Sequence, residues 1–160
     1  MLRVFIIQHG DANPKDIDPE RHLSEKGVNQ AKRAAEFLKK LPFYPDIILH
    51  SEKARSIETA GVISFALGGV RMDVRSTINP NDDIAGLLEE LMALKGTGKS
   101  IMIVGHQPFL GKLVSALITG DAAMQSVDIS NASPLVLVKN GDRYIVELYM
   151  KNDYIKARYK

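Results

Sequence analysis

The fold is decided by one stretch near the N-terminus, Leu2-Arg3-Val4-Phe5-Ile6-Ile7-Gln8-His9-Gly10. Residues 2–7 form a nearly unbroken apolar run, which is typical of a strand buried on both faces in a helix-covered sheet. The sequence turns polar where this run ends, and His9 stands at that point. In open α/β sheets, ligands bind beyond the C-terminal ends of the strands, so the stretch indicates both a fold class and the position of a site.

Strand and helix patterns alternate through most of the remaining chain. Further strands are predicted at residues 46–50, 71–75 and 100–104. Helices are predicted at residues 24–38, 52–67, 82–94 and 108–118, the first with Ser24 as its N-cap. Near the C-terminus, Asn140-Gly141 separates two apolar runs and is a strong hairpin signal. We therefore predict an α/β protein, a three-layer α/β/α sandwich with a mixed, mostly parallel central sheet and a C-terminal antiparallel hairpin.

Composition restricts the classes of function. A length of 160 residues suits a single domain covering residues 1–160, and the absence of cysteine excludes disulfides and thiolate chemistry. Lys and Arg number 21 against 19 Asp and Glu, a balance that gives no indication of nucleic-acid binding. The chain has no apolar run of the roughly 20 residues that span a bilayer. We expect a cytoplasmic protein that binds neither nucleic acid nor membrane.

Three segments place phosphate-binding side chains just after predicted strands. His9 follows the first strand, Arg55 follows the second within Ser51-Glu52-Lys53-Ala54-Arg55, and His106 follows the strand at residues 100–104. The C-terminal ends of parallel strands meet at one edge of a sheet, and the helices that follow direct their N-terminal amides there, which favours a phosphate dianion. Two imidazoles and a guanidinium at one edge indicate phosphoryl transfer through a histidine nucleophile.

These segments, in this order, resemble the histidine phosphatase (phosphoglycerate mutase-like) superfamily. The matching segments are Gln8-His9-Gly10, Leu23-Ser24-Glu25-Lys26-Gly27, Ser51 to Ala60, and Val104-Gly105-His106. The short chain, Asp11-Ala12 and Arg21 are similar to its SixA-type branch of phosphohistidine phosphatases. The resemblance implies that His9 attacks phosphorus and forms a phosphohistidine, which water then hydrolyses, while Arg55 and His106 hold the phosphoryl oxygens. It implies no metal and no cofactor.

Gln8 departs from the family motif, which has arginine at this position. Glutamine offers a neutral amide in place of a charged bidentate donor. A hydrogen bond to a charged group contributes about 1.5–3 kcal/mol, so we expect transfer to be slower by about ten- to a hundredfold. We also expect the pKa of His9 to be higher than in a Gln8→Arg variant. Arg21 either compensates as a phosphate ligand or has only a surface role; both remain open.

The leaving group of some substrates requires a proton, and the candidate acids are Asp82 and Asp83. Capping of the predicted helix at residues 82–94 is the simpler explanation of both carboxylates. Asp11 is a weaker candidate. A phosphohistidine substrate has a good leaving group and needs no strong acid.

The predicted function is therefore a metal-independent phosphatase acting on a phosphohistidine domain of a protein or on a small phosphomonoester. The alternative is a phosphoryl-binding module without turnover, which Gln8 favours; a small-molecule phosphomutase is a third option. Residues 93–100 resemble a nucleotide-binding P-loop, but they precede a strand where a P-loop precedes a helix. His22 and His50 have no carboxylate spacing that indicates a metal site.

Overall fold

A computed structural model describes residues 1–155. The sequence predicts a solvated basic tail at residues 156–160, which lie outside the described residues. One six-stranded sheet contains the strands β1 (Arg3–Gln8), β2 (Ile47–His50), β3 (Arg71–Val74), β4 (Ile101–Gly105), β5 (Leu135–Asn140) and β6 (Arg143–Tyr149). Their order is β3-β2-β4-β1-β5-β6. The first four are parallel, whereas β5 pairs antiparallel with both β1 and β6. The predicted mixed sheet with a C-terminal hairpin is confirmed.

Four α-helices cover the sheet: α1 (Glu25–Leu38), α2 (Ala54–Ala66), α3 (Ala85–Ala93) and α4 (Phe109–Thr119). Alternate residues of β1 enter two different cores. Val4 and Ile6 pack with α3 and α4 on one face, while Phe5 and Ile7 pack with α1 and α2 on the other. This two-sided burial explains the continuous apolar run in the sequence and confirms the three-layer arrangement.

Two predicted boundaries were wrong. Helix α3 begins at Ala85 rather than at residue 82, because the carboxylates of Asp82 and Asp83 accept backbone N–H groups in the turn before it. The hairpin turn is centred on Gly141 and Asp142 rather than on Asn140-Gly141, since Asn140 still pairs with Arg143 in the ladder. Gly141 has φ +62°, which suits glycine at the first central position of a two-residue turn.

The chain after the hairpin is fastened back onto α1 by Asn152, which is 2% exposed. Its side-chain amide donates to the carbonyls of Gln30 and Ala132, and its Oδ1 accepts from the guanidinium of Arg33. The backbone N–H of Ala132 in turn donates to the carbonyl of Gln8. The C-terminal segment therefore supports the end of β1, where His9 follows.

Candidate active site

His9 follows the central strand β1, and its backbone N–H continues the ladder by donating to the carbonyl of Gly105 in β4. Its Nδ1 lies 2.6 Å from the carbonyl oxygen of Gly10. A carbonyl only accepts, so Nδ1 carries the proton of the ring. The other nitrogen, Nε2, accepts from Nε of Arg55 at 3.2 Å. His9 is therefore held as the tautomer whose Nε2 lone pair faces the site.

Burial, with a smaller contribution from the positive charges of Arg55 and Arg21, lowers the pKa of His9 to about 4, although the hydrogen bond to the Gly10 carbonyl acts in the opposite direction. The ring is consequently neutral at physiological pH, as a nitrogen nucleophile must be. We expected the absence of arginine at position 8 to let this pKa rise. The pKa of His9 is already about 4, so the ring is neutral at neutral pH with either residue at position 8. A Gln8→Arg change therefore alters the charge of His9 only at acidic pH.

Arg55 lies in the first turn of α2, as the sequence predicts. Burial lowers its pKa, and the charge of Arg21 contributes in the same direction. Only Nε hydrogen-bonds to another residue within 1–155, so both terminal nitrogens of its guanidinium are free to meet an anion. Thr59, one turn later, accepts from the N–H of Gly10 at 3.0 Å and donates to the carbonyl of Arg55 at 2.7 Å. This hydroxyl ties α2 to the loop that carries His9.

His106 follows β4 and is 2% exposed. Its ring centroid lies 5.0 Å from that of His9. Its Nε2 lies 2.6 Å from the hydroxyl oxygen of Ser51, which follows β2. Burial first, and then the positive charge that His9 carries when protonated and the charges of Arg55, Lys53 and Arg21, lower the pKa of His106 to about 3. His106 is thus a second neutral imidazole, held against the first.

The His9 loop is packed against the start of α1 with no room to spare. A Cβ on Gly27 would lie 1.9 Å from the carbonyl oxygen of Asp11, and one on Gly10 would lie 2.6 Å from the carbonyl oxygen of Gly27. Ser24 caps α1 as predicted, accepting from the N–H of Gly27, and its hydroxyl donates to the Asp11 carboxylate at 2.6 Å. The loop geometry is therefore set by contacts that only glycine allows.

Arg21 reaches the same edge of the sheet from the loop before α1. Its φ of +53° places it in the left-handed region, which costs a residue other than glycine about 1–2 kcal/mol. Its Nε donates to the carbonyl of Asn13 at 3.1 Å. With Arg55 it borders a cleft of about 430 Å³ whose other lining residues are Lys15, Pro19, Glu20, Glu52, Lys53 and Ala54. Four cations against two carboxylates make this cleft a place for an anion.

Gln8 is the last residue of β1, level with Gly105 of β4 and half-buried. Its side chain has no hydrogen-bond partner among residues 1–155, whereas its carbonyl accepts from Ala132. Strand alternation directs it away from the face occupied by Phe5 and Ile7. The structure therefore places Gln8 beside His9 without a bond to the other site residues.

The two candidate acids stand apart from this group. Asp82 Oδ2 accepts from the N–H of Asn79 at 2.7 Å, and Asp83 Oδ1 accepts from the N–H of Ala85 at 2.9 Å. Neither carboxylate hydrogen-bonds to His9, Arg55 or His106 in the described chain. Both carboxylates hold the turn before α3, and the N-cap of this helix is Ile84, so the capping that the sequence offered as an alternative to catalysis is replaced by a role in the turn. Asp11 lies close to His9, yet its carboxylate is engaged by Ser24.

Sequence reasoning assigned no role to three residues that contact the site. Ser51 and Thr59 stand inside the quoted motif, and the i, i+4 spacing of Thr59 from Arg55 was the available signal. Asn131 donates to the carbonyl of His9 at 2.8 Å from an irregular loop that has no periodicity to identify it.

Residues 1–155 include no cluster of three or more His, Asp or Glu side chains with the geometry to hold a metal ion. Over the same residues, every helix is too short or too polar to span a bilayer.

Comparisons with known proteins agree on the family. Residues 4–79 match the model of the histidine phosphatase superfamily, branch 1. The phosphohistidine phosphatase SixA of Escherichia coli is 28% identical over 123 residues, which cover 75% of this chain and 76% of that protein. A SixA homolog of Haemophilus influenzae is 29% identical over 126 residues, 72% and 77% of the two chains.

A solved structure supports the same assignment at the level of the fold. The structure of the protein histidine phosphatase SixA complexed with tungstate superposes with a TM-score of 0.85 at 22% identity, over 96% of this chain and 99% of that one. Sequence and fold thus indicate the same relatives, whose enzyme class is phosphatase. The chain is therefore similar to members of the histidine phosphatase superfamily, and among them to the SixA-type phosphohistidine phosphatases.

Proposed function

We propose that the protein hydrolyses phosphohistidine on a partner protein, or a small phosphomonoester, through a covalent phosphohistidine on His9. Nε2 of His9 attacks phosphorus in line with the bond to the leaving group, and that bond breaks as the N–P bond forms. Water then attacks the same phosphorus and releases inorganic phosphate with the ring restored. Arg55, through its positive charge, and His106, through a hydrogen bond, stabilise the charge on the non-bridging oxygens during both steps.

The observation that carries this proposal is the state of His9. Its Nδ1–H donates to the carbonyl of Gly10, its Nε2 lone pair accepts from the guanidinium of Arg55, and its pKa is about 4. Phosphorylation at Nε2 makes the ring cationic, and the Gly10 carbonyl is already in place to stabilise that charge. The resting geometry is thus that of a nucleophile prepared for attack, which recognition of a phosphoryl group alone does not require.

Gln8 and Arg21 together set the expected rate. Gln8 removes one guanidinium from the set that the family motif implies, and we propose that the enzyme is slower for this reason. Arg21 supplies a compensating cation from the other side of the cleft, where it borders the same space as Arg55 and acts electrostatically on His9. Its left-handed backbone supports this role, because strain of this kind is enriched at functional sites.

The protonation of the leaving group favours phosphohistidine among the candidate substrates. Asp82 and Asp83 are committed to the turn before α3, so a substrate with a poor alkoxide leaving group lacks an evident proton donor. An imidazole leaves readily from phosphorus and needs no strong acid. The excess of cations in the cleft suits a phosphorylated acidic surface. The same proposal places the protein in the cytoplasm, in keeping with a chain that contains no cysteine.

The test is turnover of an aryl phosphate and of a phosphohistidine protein by wild type, His9→Ala, Gln8→Arg and the control His22→Gln, which removes an exposed histidine. We expect His9→Ala to abolish turnover, His22→Gln to retain it, and Gln8→Arg to increase it by about ten- to a hundredfold. Rapid quenching in an alkaline denaturant, in which the N–P bond of phosphohistidine survives, should trap a phosphorylated wild-type protein and none from His9→Ala. Turnover that survives His9→Ala would exclude the covalent mechanism.

The rival function, a phosphoryl-binding module, rests on Gln8. It predicts equal inactivity of wild type and His9→Ala, with strong activity appearing only in Gln8→Arg. Tungstate, an oxyanion of the same shape and charge as phosphate, should then bind wild type as tightly as it binds the Gln8→Arg variant.

A further inference from the structure

Ser51 and His106 form a buried pair whose proton arrangement can be worked out. Ser51 is 0% exposed and His106 is 2% exposed. The hydroxyl oxygen of Ser51 lies 2.6 Å from Nε2 of His106. The other ring nitrogen, Nδ1, is also buried, and it has no hydrogen-bond partner among residues 1–155.

The contacts of Ser51 decide which ring nitrogen carries the proton. Its Oγ accepts from the backbone N–H of Lys53 at 3.4 Å, and within residues 1–155 the only acceptor in reach of its own proton is Nε2 of His106. A proton on Nε2 would leave the buried hydroxyl with no acceptor, which is unfavourable. A proton on Nδ1 satisfies the hydroxyl and makes Nδ1–H the single unpaired group, a buried donor on a ring whose centroid lies 5.0 Å from that of His9.

We infer that Ser51 is a positioning residue that holds His106 as its Nδ1–H tautomer, so that Nδ1–H is the donor that meets a phosphoryl oxygen. This inference rests on the proposed function for the identity of the ligand. It assigns to the motif serine a task distinct from phosphate binding, because the hydroxyl acts through the imidazole. An unpaired N–H donor, unlike a lone pair, attracts an anion, and the neutral ring supplies that donor at any pH well above 3.

The tautomer can be observed directly by nitrogen NMR of the imidazole rings in the free protein. We expect wild type to show the proton on Nδ1 of His106, and Ser51→Ala to show it on Nε2 or exchanging between the two nitrogens. Ser51→Thr retains the hydroxyl and should retain the wild-type signals. The control is Ser64→Ala, which removes another buried hydroxyl, one that donates to the carbonyl of Val70 far from the site. A wild-type ring protonated on Nε2, or a Ser51→Ala ring still fixed on Nδ1, would overturn the inference.

Kinetics give a second readout that does not depend on packing around Ser51. The amide nitrogen of asparagine occupies the position of Nδ1 of histidine, whereas that of glutamine occupies the position of Nε2. His106→Asn should therefore retain more of kcat than His106→Gln, and Ser51→Ala should lower kcat by about three- to tenfold. The reverse order of the two His106 variants would contradict the assignment. If the wild-type protein showed no turnover at all, the proposed function would be overturned. The NMR signals would still decide the tautomer of His106.

Discussion

The low pKa of His9 has a measurable effect on stability in acid. Burial in the folded protein lowers this pKa to about 4, whereas the unfolded chain leaves a histidine at its ordinary value of 6.5. Between these pH values the unfolded state binds a proton that the folded state does not. The contribution of this group to stability is therefore fully present above pH 6.5 and is lost as pH falls through 4.

The size of the effect follows from the two pKa values. At about 1.36 kcal/mol per pH unit, the difference between them corresponds to about 3 kcal/mol lost at full protonation. His9 is partly exposed, so solvent screening makes this an upper value. In the middle of the window, the free energy of unfolding should change by about 1.2 kcal/mol per pH unit on account of His9.

Urea unfolding of wild type and His9→Gln at intervals from pH 7 to 4.5 measures this slope. In the variant, the slope of the free energy of unfolding against pH should be smaller by about 1 kcal/mol per pH unit. Both proteins keep the part of the slope that comes from His106, whose pKa is also lowered. His22→Gln, which removes an exposed histidine, is the matched control. Identical slopes for wild type and His9→Gln would mean that His9 protonates as an ordinary histidine. The claim that the fold keeps His9 neutral as a nucleophile would then be refuted.

Three further changes test the framework around the site. In thermal melts, Gly27→Ala should destabilise the protein by about 2 kcal/mol or more, because its Cβ overlaps the Asp11 carbonyl. Gly61→Ala, which has open space around it in α2, should stabilise the protein by about 0.5–1 kcal/mol in the same measurement. Asn152→Ala should cost about 2 kcal/mol or more in urea unfolding, since it leaves buried carbonyls unpaired. Asp82→Asn keeps a side-chain oxygen that accepts from the N–H of Asn79, so it should leave both stability and phosphohistidine turnover unchanged; a loss of turnover with that substrate would restore Asp82 as an acid.

The sequence predicted what depends on local pattern. Buried strands leave continuous apolar runs, and parallel strands end at a common edge, so the positions of His9 and His106 followed once the runs were found. Arg55 followed because a helix begins directly after β2. These inferences need no knowledge of how distant segments meet, and the architecture derived from them is confirmed.

The remainder depends on contacts between distant residues, which leave no periodic signal. The bond between Arg55 and His9 joins residues 46 positions apart, and Asn131 reaches the carbonyl of His9 from an irregular loop. The position of Arg21 depends on a left-handed backbone that sequence does not encode for arginine. For Asp82, a structural role and catalysis use the same residue type at the same place, so only the structure could show that its carboxylate bonds within the turn before α3.

The contact between Arg55 and Nε2 of His9 has a consequence for chemical selectivity. The reactive lone pair accepts a hydrogen bond from a guanidinium N–H, and a molecule that reacts with it must first draw that group aside. A dianionic phosphoryl group does so by offering the guanidinium better acceptors, and its approach exposes the nucleophile. A neutral electrophile, such as an alkylating or acylating reagent, offers no such exchange. The protein should therefore resist neutral histidine-modifying reagents at His9 while it remains reactive toward phosphoryl donors.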